Sequence, residues 1–222
     1  PTAPVPSDLN WDMWLGPAPW TEYIPERTHG NFRHWYEYSG GMMTDWGAHH
    51  LDITQWALGM DDSGPLRVEG RGVLPANPQG YNTPLDFEIT YTYPNDVTVL
   101  AMSSGENGVR FEGENGWLFV SRSRIEASDE RFLKEPFSGN DVRLYESPNH
   151  ARNFIECIRS RKDPICTAEI GHRSATVCHL GNIALRSGRK VQWDPKAEKV
   201  VGDAEQAKMT RYNYRSPWKL SV

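Results

Sequence analysis

The sequence predicts an α+β fold, with an open, mostly antiparallel β-sheet of about five or six strands and helices packed on one face. Apolar and polar residues alternate over residues 85–93, which is the period of a strand with one buried face. Short apolar runs on either side are separated by turn sequences, which favours antiparallel neighbours. Helical periodicity follows at 148–161 and 168–187, so strands precede most of the helices.

Composition narrows the function classes. The chain has 222 residues, 38% of them hydrophobic, which is enough for one sizeable core. Its net charge of -5 and its lack of a Lys/Arg-rich block argue against nucleic-acid binding. No long apolar run indicates a membrane span, and no signal-peptide pattern opens the chain. The three cysteines lack metal-ligand spacing, so we expect buried free thiols and no metal site.

We expect a single domain over residues 1–222. Its segments are an irregular aromatic arm at 1–39, a motif helix at 40–59, a β-meander at 66–121, a helical pair with a strand at 148–194, and a tail at 195–222. The Pro-rich opening at residues 1–6 indicates an extended linker, so we expect further sequence upstream.

Local signals set the expected ends of the elements. The strand candidates are 68–74, 85–93, 97–102, 109–112 and 117–120. Ser147 and Pro148 indicate the start of one helix, whose apolar stripe is Ala151, Phe154, Ile155 and Ile158. Thr167 and Gly188 bound the next helix, and Gly59 ends the motif helix. Tyr212, Tyr214 and Trp218 are expected to anchor the tail by burial.

One pair of side chains has a spacing that suits acid/base catalysis. Asp45 and His49 are four residues apart, so on a helix both would project to one side and could contact one substrate. Histidine exchanges a proton near neutral pH, and a nearby carboxylate orients its ring. The spacing alone is a weak signal, because such a pair on a helix is more often a structural cap or hydrogen bond.

The surrounding residues resemble the second-domain signature of the Gfo/Idh/MocA oxidoreductases, in which a glycine pair precedes D-x-G-x-H and an acidic residue and a tryptophan follow. The matching positions are Gly40, Gly41, Asp45, Gly47, His49, Asp52, Trp56, Leu58 and Gly59. The resemblance extends to Trp14-Leu15-Gly16-Pro17 in the arm and to residues 149–189, and so covers nearly the whole chain.

The resemblance implies a specific activity and a fold like that of dihydrodipicolinate reductase. In the family a Rossmann domain binds NAD or NADP, and a hydroxyl of a sugar or cyclitol is oxidised by hydride transfer. By resemblance, His49 would accept or relay the hydroxyl proton and Asp45 would orient the substrate. The family also implies homo-oligomers formed through the open sheet face, which otherwise needs a cover.

The cofactor half of that enzyme is not found in this sequence. No G-x-G-x-x-G occurs, and Gly70-Arg71-Gly72 lies in a strand candidate. The family's E-K-P motif is also missing, since Lys134-Glu135-Pro136 has those letters in another order. We therefore expect a substrate-side domain that binds no cofactor alone and that works with a separate Rossmann domain.

Further substrate contacts are expected in the arm. Trp14, Trp35 and Tyr36 could stack on a sugar ring, and Arg33 could bind a hydroxyl or carboxylate. Asp52, the acidic residue that follows D-x-G-x-H in the signature, is also expected to contact the substrate. Most aromatic rings fill cores, so packing is the competing interpretation for each of them.

Two other functions remain open. The chain could be a stand-alone keto-sugar lyase, hydrolase or epimerase that uses Asp45 and His49, with or without a metal. It could also be a non-catalytic scaffold for oligomerisation or sugar binding. The sequence leaves the compartment open, either the bacterial cytoplasm or the periplasm if an export signal lies upstream.

Overall fold

The computed structural model describes residues 1–77, 80–139 and 141–220, so the last two positions of the predicted tail lie outside it. The helices are α1 (Trp11–Leu15), α2 (Trp46–Ala57), α3 (Arg131–Lys134), α4 (His150–Ser160), α5 (Ala168–Ser187) and α6 (Ala204–Lys208). The strands are β1 (Arg67–Val73), β2 (Asp86–Thr92), β3 (Thr98–Met102), β4 (Val109–Gly113), β5 (Gly116–Val120), β6 (Ile125–Ala127), β7 (Val191–Asp194) and β8 (Lys199–Val200).

The predicted α+β class is confirmed, but the strands form two antiparallel sheets instead of one. The first has the order β3-β2-β1-β7-β8 and the second the order β4-β5-β6. The meander divides between β3 and β4, where residues 103–108 (SSGENG) form bends. Glycine and serine favour turns over ladder pairing, so the pairing is interrupted there.

The core lies between the first sheet and α5. In β2, Phe87, Ile89 and Tyr91 are buried while Asp86 and Glu88 are exposed, as the alternation predicted. Helix α5 crosses β1 and β2 and buries its apolar face against them. Its predicted start is confirmed, since the Thr167 side chain accepts a hydrogen bond from the amide of Ile170.

Helix α2 packs on α5 and is tied to the sheet by a buried glutamine. Gln55 is fully buried, and its Nε2 donates to the carbonyl oxygens of Met60 at 2.9 Å and Ser63 at 3.1 Å. Its Oε1 accepts from the Tyr93 hydroxyl at 2.7 Å. Because every partner is itself buried or backbone, α2 is held in a fixed position over the sheet.

Helix α4 differs from its prediction. It begins at His150, and its cap is Asn149, whose side chain accepts from the amide of Arg152. The expected apolar stripe is exposed, with Phe154 at 57% and Ile155 at 46%. The buried face consists of Asn153 and Cys157, and Asn153 bonds to Tyr145 and Ile165 in the neighbouring loops.

The arm and the tail hold each other. The arm, predicted to be irregular, contains α1 and a small apolar cluster of Trp11, Leu15 and Tyr23. Arg215 joins the tail to this cluster by donating to the carbonyl oxygens of Ala18 at 3.1 Å and Gly16 at 2.9 Å. The Tyr212 hydroxyl also donates to the Glu37 carbonyl oxygen at 2.6 Å. The tail is therefore anchored by hydrogen bonds and not by the predicted burial of Tyr212 and Tyr214, which are both exposed.

Candidate functional site

The glycine pair brings the arm against α5. Gly40 is buried, and its carbonyl oxygen accepts a hydrogen bond of 2.8 Å from Nδ2 of Asn182, itself buried in α5. A Cβ on Gly40 would meet Thr44 and, at 2.5 Å, that same Nδ2 atom. Gly41 has a φ of 68°, and a Cβ there would lie 2.5 Å from Thr83. Both positions require glycine, so the motif begins as a close backbone contact with the core.

Asp45 lies at the junction between this contact and α2. It is the residue before the helix, with a φ of -91° and a ψ of -94°, and its side chain does not cap the helix. Oδ2 of Asp45 instead lies 3.0 Å from Nε of Arg33. Asp45 is therefore not in the helical geometry that the four-residue spacing predicted, and its carboxylate pairs with the arm.

His49 projects from the first turns of α2 and is exposed. Its ring meets the Trp46 indole edge-on, with centroids 5.8 Å apart. The carboxylate of Asp45 pairs with Arg33, and the exposed imidazole of His49 can contact a ligand. The arrangement provides an exposed proton-exchanging group in the first turn of α2, the helix that directly follows Asp45.

His34, which the sequence analysis did not select, lies beside this pair. Its Nδ1 is buried and has no hydrogen-bond partner among the residues that the structure describes. Burial lowers the pKa of the imidazole, and the neighbouring Arg33 lowers it further while Asp45 raises it. Its ring contacts Tyr81 at 5.0 Å between centroids. His34 directly follows Arg33, but its segment is aperiodic, so no sequence pattern marked its ring as part of the site.

Tyr36 contacts three other residues, Asn82, Asn182 and Arg186. Its amide donates to Oδ1 of Asn82 at 2.7 Å, and its hydroxyl donates to Oδ1 of Asn182 at 3.5 Å. The Arg186 guanidinium lies 4.5 Å from the centre of its ring. Burial raises the pKa of the Tyr36 phenol to about 12, so the hydroxyl stays protonated at neutral pH.

Trp14 and Trp35, the two arm tryptophans expected to stack on a sugar ring, pack mainly against other side chains of the protein. Trp35 is 3% exposed, and the Arg27 guanidinium covers its ring at 3.9 Å, so it has no free face for a substrate. Trp14 stacks on Trp11 with centroids 4.8 Å apart and meets Tyr38 edge-on. It also lines a groove of about 540 Å³ between arm and tail.

Asp52 faces α5 and not the proposed substrate. Its Oδ1 accepts a hydrogen bond of 2.6 Å from Oγ of Ser174, a buried residue. The motif's second carboxylate therefore joins the two central helices.

The G-x-G sequence at residues 70–72 does not form a nucleotide-binding loop. Gly70 and Gly72 lie within β1 and pair with Ile89 and Phe87 of β2, so their amides form no loop at a helix N-terminus. Over residues 1–77, 80–139 and 141–220, no group of three or more His, Cys, Asp or Glu side chains could hold a metal ion. Within the same ranges, no helix is long and apolar enough to cross a membrane.

The exposed side of the first sheet carries a second groove, of about 430 Å³. Its charges pair across the strands, with Arg71 bonded to Glu88 at 3.1 Å and Lys190 to Glu69 at 3.0 Å. His49 does not line this groove. The oligomer contact expected through this face of the sheet remains a prediction.

Comparison with solved structures gives the same fold. An NAD-binding protein from Listeria innocua matches with a TM-score of 0.52 and 19% identity, covering 74% of this chain and 51% of that one. Aldose-aldose oxidoreductase from Caulobacter crescentus, complexed with glycerol, gives 0.54 and 19%, covering 73% and 51%. The WlbA dehydrogenase from Bordetella pertussis, in complex with NADH and UDP-GlcNAcA, gives 0.55 and 15%, covering 74% and 49%.

The chain spans about half the length of these proteins. No curated protein matches the sequence. The model of the oxidoreductase family's C-terminal alpha/beta domain matches residues 1–220, which includes the glycine pair, Asp45 and His49. This chain therefore belongs to the Gfo/Idh/MocA oxidoreductase family, as its C-terminal alpha/beta domain.

Proposed function

We propose that this chain is the substrate-side domain of an NAD(P)-dependent oxidoreductase that acts on a hydroxyl of a sugar, sugar derivative or cyclitol. The observation that carries the proposal is the exposed imidazole of His49 in the first turn of α2, four residues after the Asp45 carboxylate that pairs with Arg33. Family membership supports the reaction class, and solved structures of similar fold include an aldose oxidoreductase.

The chain contributes the proton side of the chemistry. His49 accepts the proton of the reacting hydroxyl, a role suited to imidazole near neutral pH. Asp45 accepts hydrogen bonds from substrate hydroxyls, and Arg33 keeps its carboxylate aimed at the site. Their side chains are 36% and 42% exposed, so the pair is weak enough to share its atoms with a substrate.

Tyr36 and Asn182 position these groups. Asn182 bonds the Gly40 carbonyl and the Tyr36 hydroxyl, so one amide in α5 fixes both the arm and the entry to α2. We assign Trp14, Trp35 and Asp52 to packing and leave them out of the proposed substrate contacts.

The hydride acceptor is proposed to bind a separate Rossmann domain, because the described residues offer no nucleotide cradle. The chain covers about half of each matched structure, which agrees with a cofactor-binding domain separate from this one.

The test compares variants of the full reading frame that contains this chain. His49→Asn is expected to lower kcat for aldose oxidation at least about 100-fold, the usual contribution of a general base. His172→Asn is the matched control, because His172 is exposed and bonds Glu198 away from the site. NADH or NADPH formation is followed by absorbance.

Full activity of the His49→Asn protein would overturn the assignment. So would epimerisation or elimination of a keto-sugar by this chain alone with no nucleotide present, which would favour the stand-alone enzyme. Isothermal titration of this chain with NAD is expected to show no binding.

A further inference from the structure

Three basic groups surround one exposed indole ring next to the proposed site. The rings of His49 and His50 have centroids 5.8 Å and 6.0 Å from that of Trp46. The guanidinium carbon of Arg122 lies 5.4 Å from the centre of the same ring. Arg122 belongs to the turn that follows β5, so the second sheet adds a cation to a site otherwise built on α2 and the arm.

Arg122 has no acidic partner among the described residues, unlike its neighbour in the same turn. Arg124 pairs with Glu106 and, at 2.9 Å, with Glu126. Arg33, the other arginine near α2, is neutralised by Asp45. Arg122 is thus an exposed and uncompensated positive charge.

The geometry indicates a gap and not a closed stack. Where a guanidinium does pack on an indole in this protein, as Arg27 does on Trp35, the distance is 3.9 Å, against 5.4 Å for Arg122 and Trp46. Trp46 is 37% exposed, so part of its ring remains open to a ligand. Burial lowers the pKa of His50, and the nearby His49 and Arg122 lower it further.

We propose that Arg122 is a specificity-determining residue that binds, with His50, an anionic substituent of a sugar whose ring lies against Trp46. The substrate class is then a sugar carrying a carboxylate or a phosphate. A guanidinium matches either group with two parallel hydrogen bonds, and an indole face suits the apolar side of a sugar ring. The inference rests on the proposed function, because it names the substrate class of the same site.

The test measures binding of small sugars to the 222-residue chain by the imidazole NMR signals of His49 and His50, assigned through His→Gln variants. The probes are glucuronate, glucose 1-phosphate, glucose, inorganic phosphate and NAD. We expect glucuronate or glucose 1-phosphate to give saturable shifts, with glucose binding at least tenfold more weakly. The tighter of the two anionic sugars identifies the substituent.

Matched variants separate recognition from packing. Arg122→Gln is expected to weaken binding of the anionic sugar at least tenfold, while Arg124→Gln binds like the unaltered chain, because its charge is already paired. Arg122→Lys keeps the charge without the planar fork and is expected to bind with intermediate affinity. Far-UV circular dichroism and urea unfolding check that each variant is folded.

Equal binding of glucose and glucuronate would overturn the proposal, as would full binding by a folded Arg122→Gln chain. Inorganic phosphate that binds as tightly as glucose 1-phosphate would refute the sugar part. Shifts with NAD that depend on Arg122, without shifts from either anionic sugar, would assign the cation to the cofactor instead. If His49→Asn leaves the dehydrogenase active while glucuronate still binds through Arg122, the proposed function fails and this inference stands.

Discussion

Replacing Gly40 by alanine tests whether the glycine pair is needed for packing. The new Cβ would collide with Thr44 and would lie 2.5 Å from Nδ2 of Asn182, whose hydrogen bond to the Gly40 carbonyl is 2.8 Å long. Overpacking of this kind costs about 1–3 kcal/mol, and disturbing one buried hydrogen bond adds about 0.5–1.5 kcal/mol. We expect the free energy of unfolding to fall by about 2–4 kcal/mol.

Urea unfolding followed by circular dichroism measures this change, with the slope of the transition checked for a constant value. The matched control is Gly171→Ala, because Gly171 lies in α5 with open space around its Cβ position. That change is expected to stabilise the chain by up to about 1 kcal/mol. A Gly40→Ala chain within about 0.5 kcal/mol of the original, the range of an ordinary surface substitution, would refute the reasoning.

Adding Thr44→Ser to Gly40→Ala removes the closest of the three colliding atoms, Cγ2 of Thr44, so the double variant is expected to recover part of the lost stability. Strict additivity of the two changes would show that the collision with Thr44 is not the cause.

Three further predictions use the same unfolding and labelling assays. Asp52→Ala is expected to lower the free energy of unfolding by about 1–3 kcal/mol, because it leaves the buried hydroxyl of Ser174 without its 2.6 Å partner; an unchanged midpoint would contradict this. Burial lowers the pKa values of His34 and His50 below 6.5, so the unfolded chain binds more protons than the folded chain just below pH 6.5. The free energy of unfolding should therefore fall as pH drops through that range. In urea titrations at pH 7.5 and 5.5, a His50→Gln chain should show a smaller fall. Cys157 and Cys178 are buried but Cys166 is exposed, so the expectation of buried thiols is wrong for Cys166. A thiol reagent should therefore label one site in the folded chain and three after unfolding; fast labelling of a second site would contradict the burial.

Much of the fold could be predicted because it depends on local pattern. The alternation in β2 and the cap and stop of α5 are written in neighbouring residues, and both are confirmed. The apolar stripe expected for α4 is exposed, because periodicity shows that a face is apolar but not what covers it. The split into two sheets was missed for a similar reason, since turn residues mark a break in the chain and not the partner of the next strand.

The site divides in the same way. The motif letters alone identified Asp45, His49 and the glycine pair, and resemblance gave them their expected roles. The pairing of Asp45 with Arg33, the burial of Trp35 and the position of Asp52 against Ser174 depend on how the arm and α5 pack around α2.

The sequence by itself determined the fold class, the main core elements and the family, because these depend on periodicity and on short-range motifs. Only the tertiary structure placed Ser174 beside Asp52 and brought Arg122, from the second sheet, to 5.4 Å from the centre of the Trp46 ring. Those contacts join segments far apart in the chain, and their free energy comes from packing that no local pattern encodes.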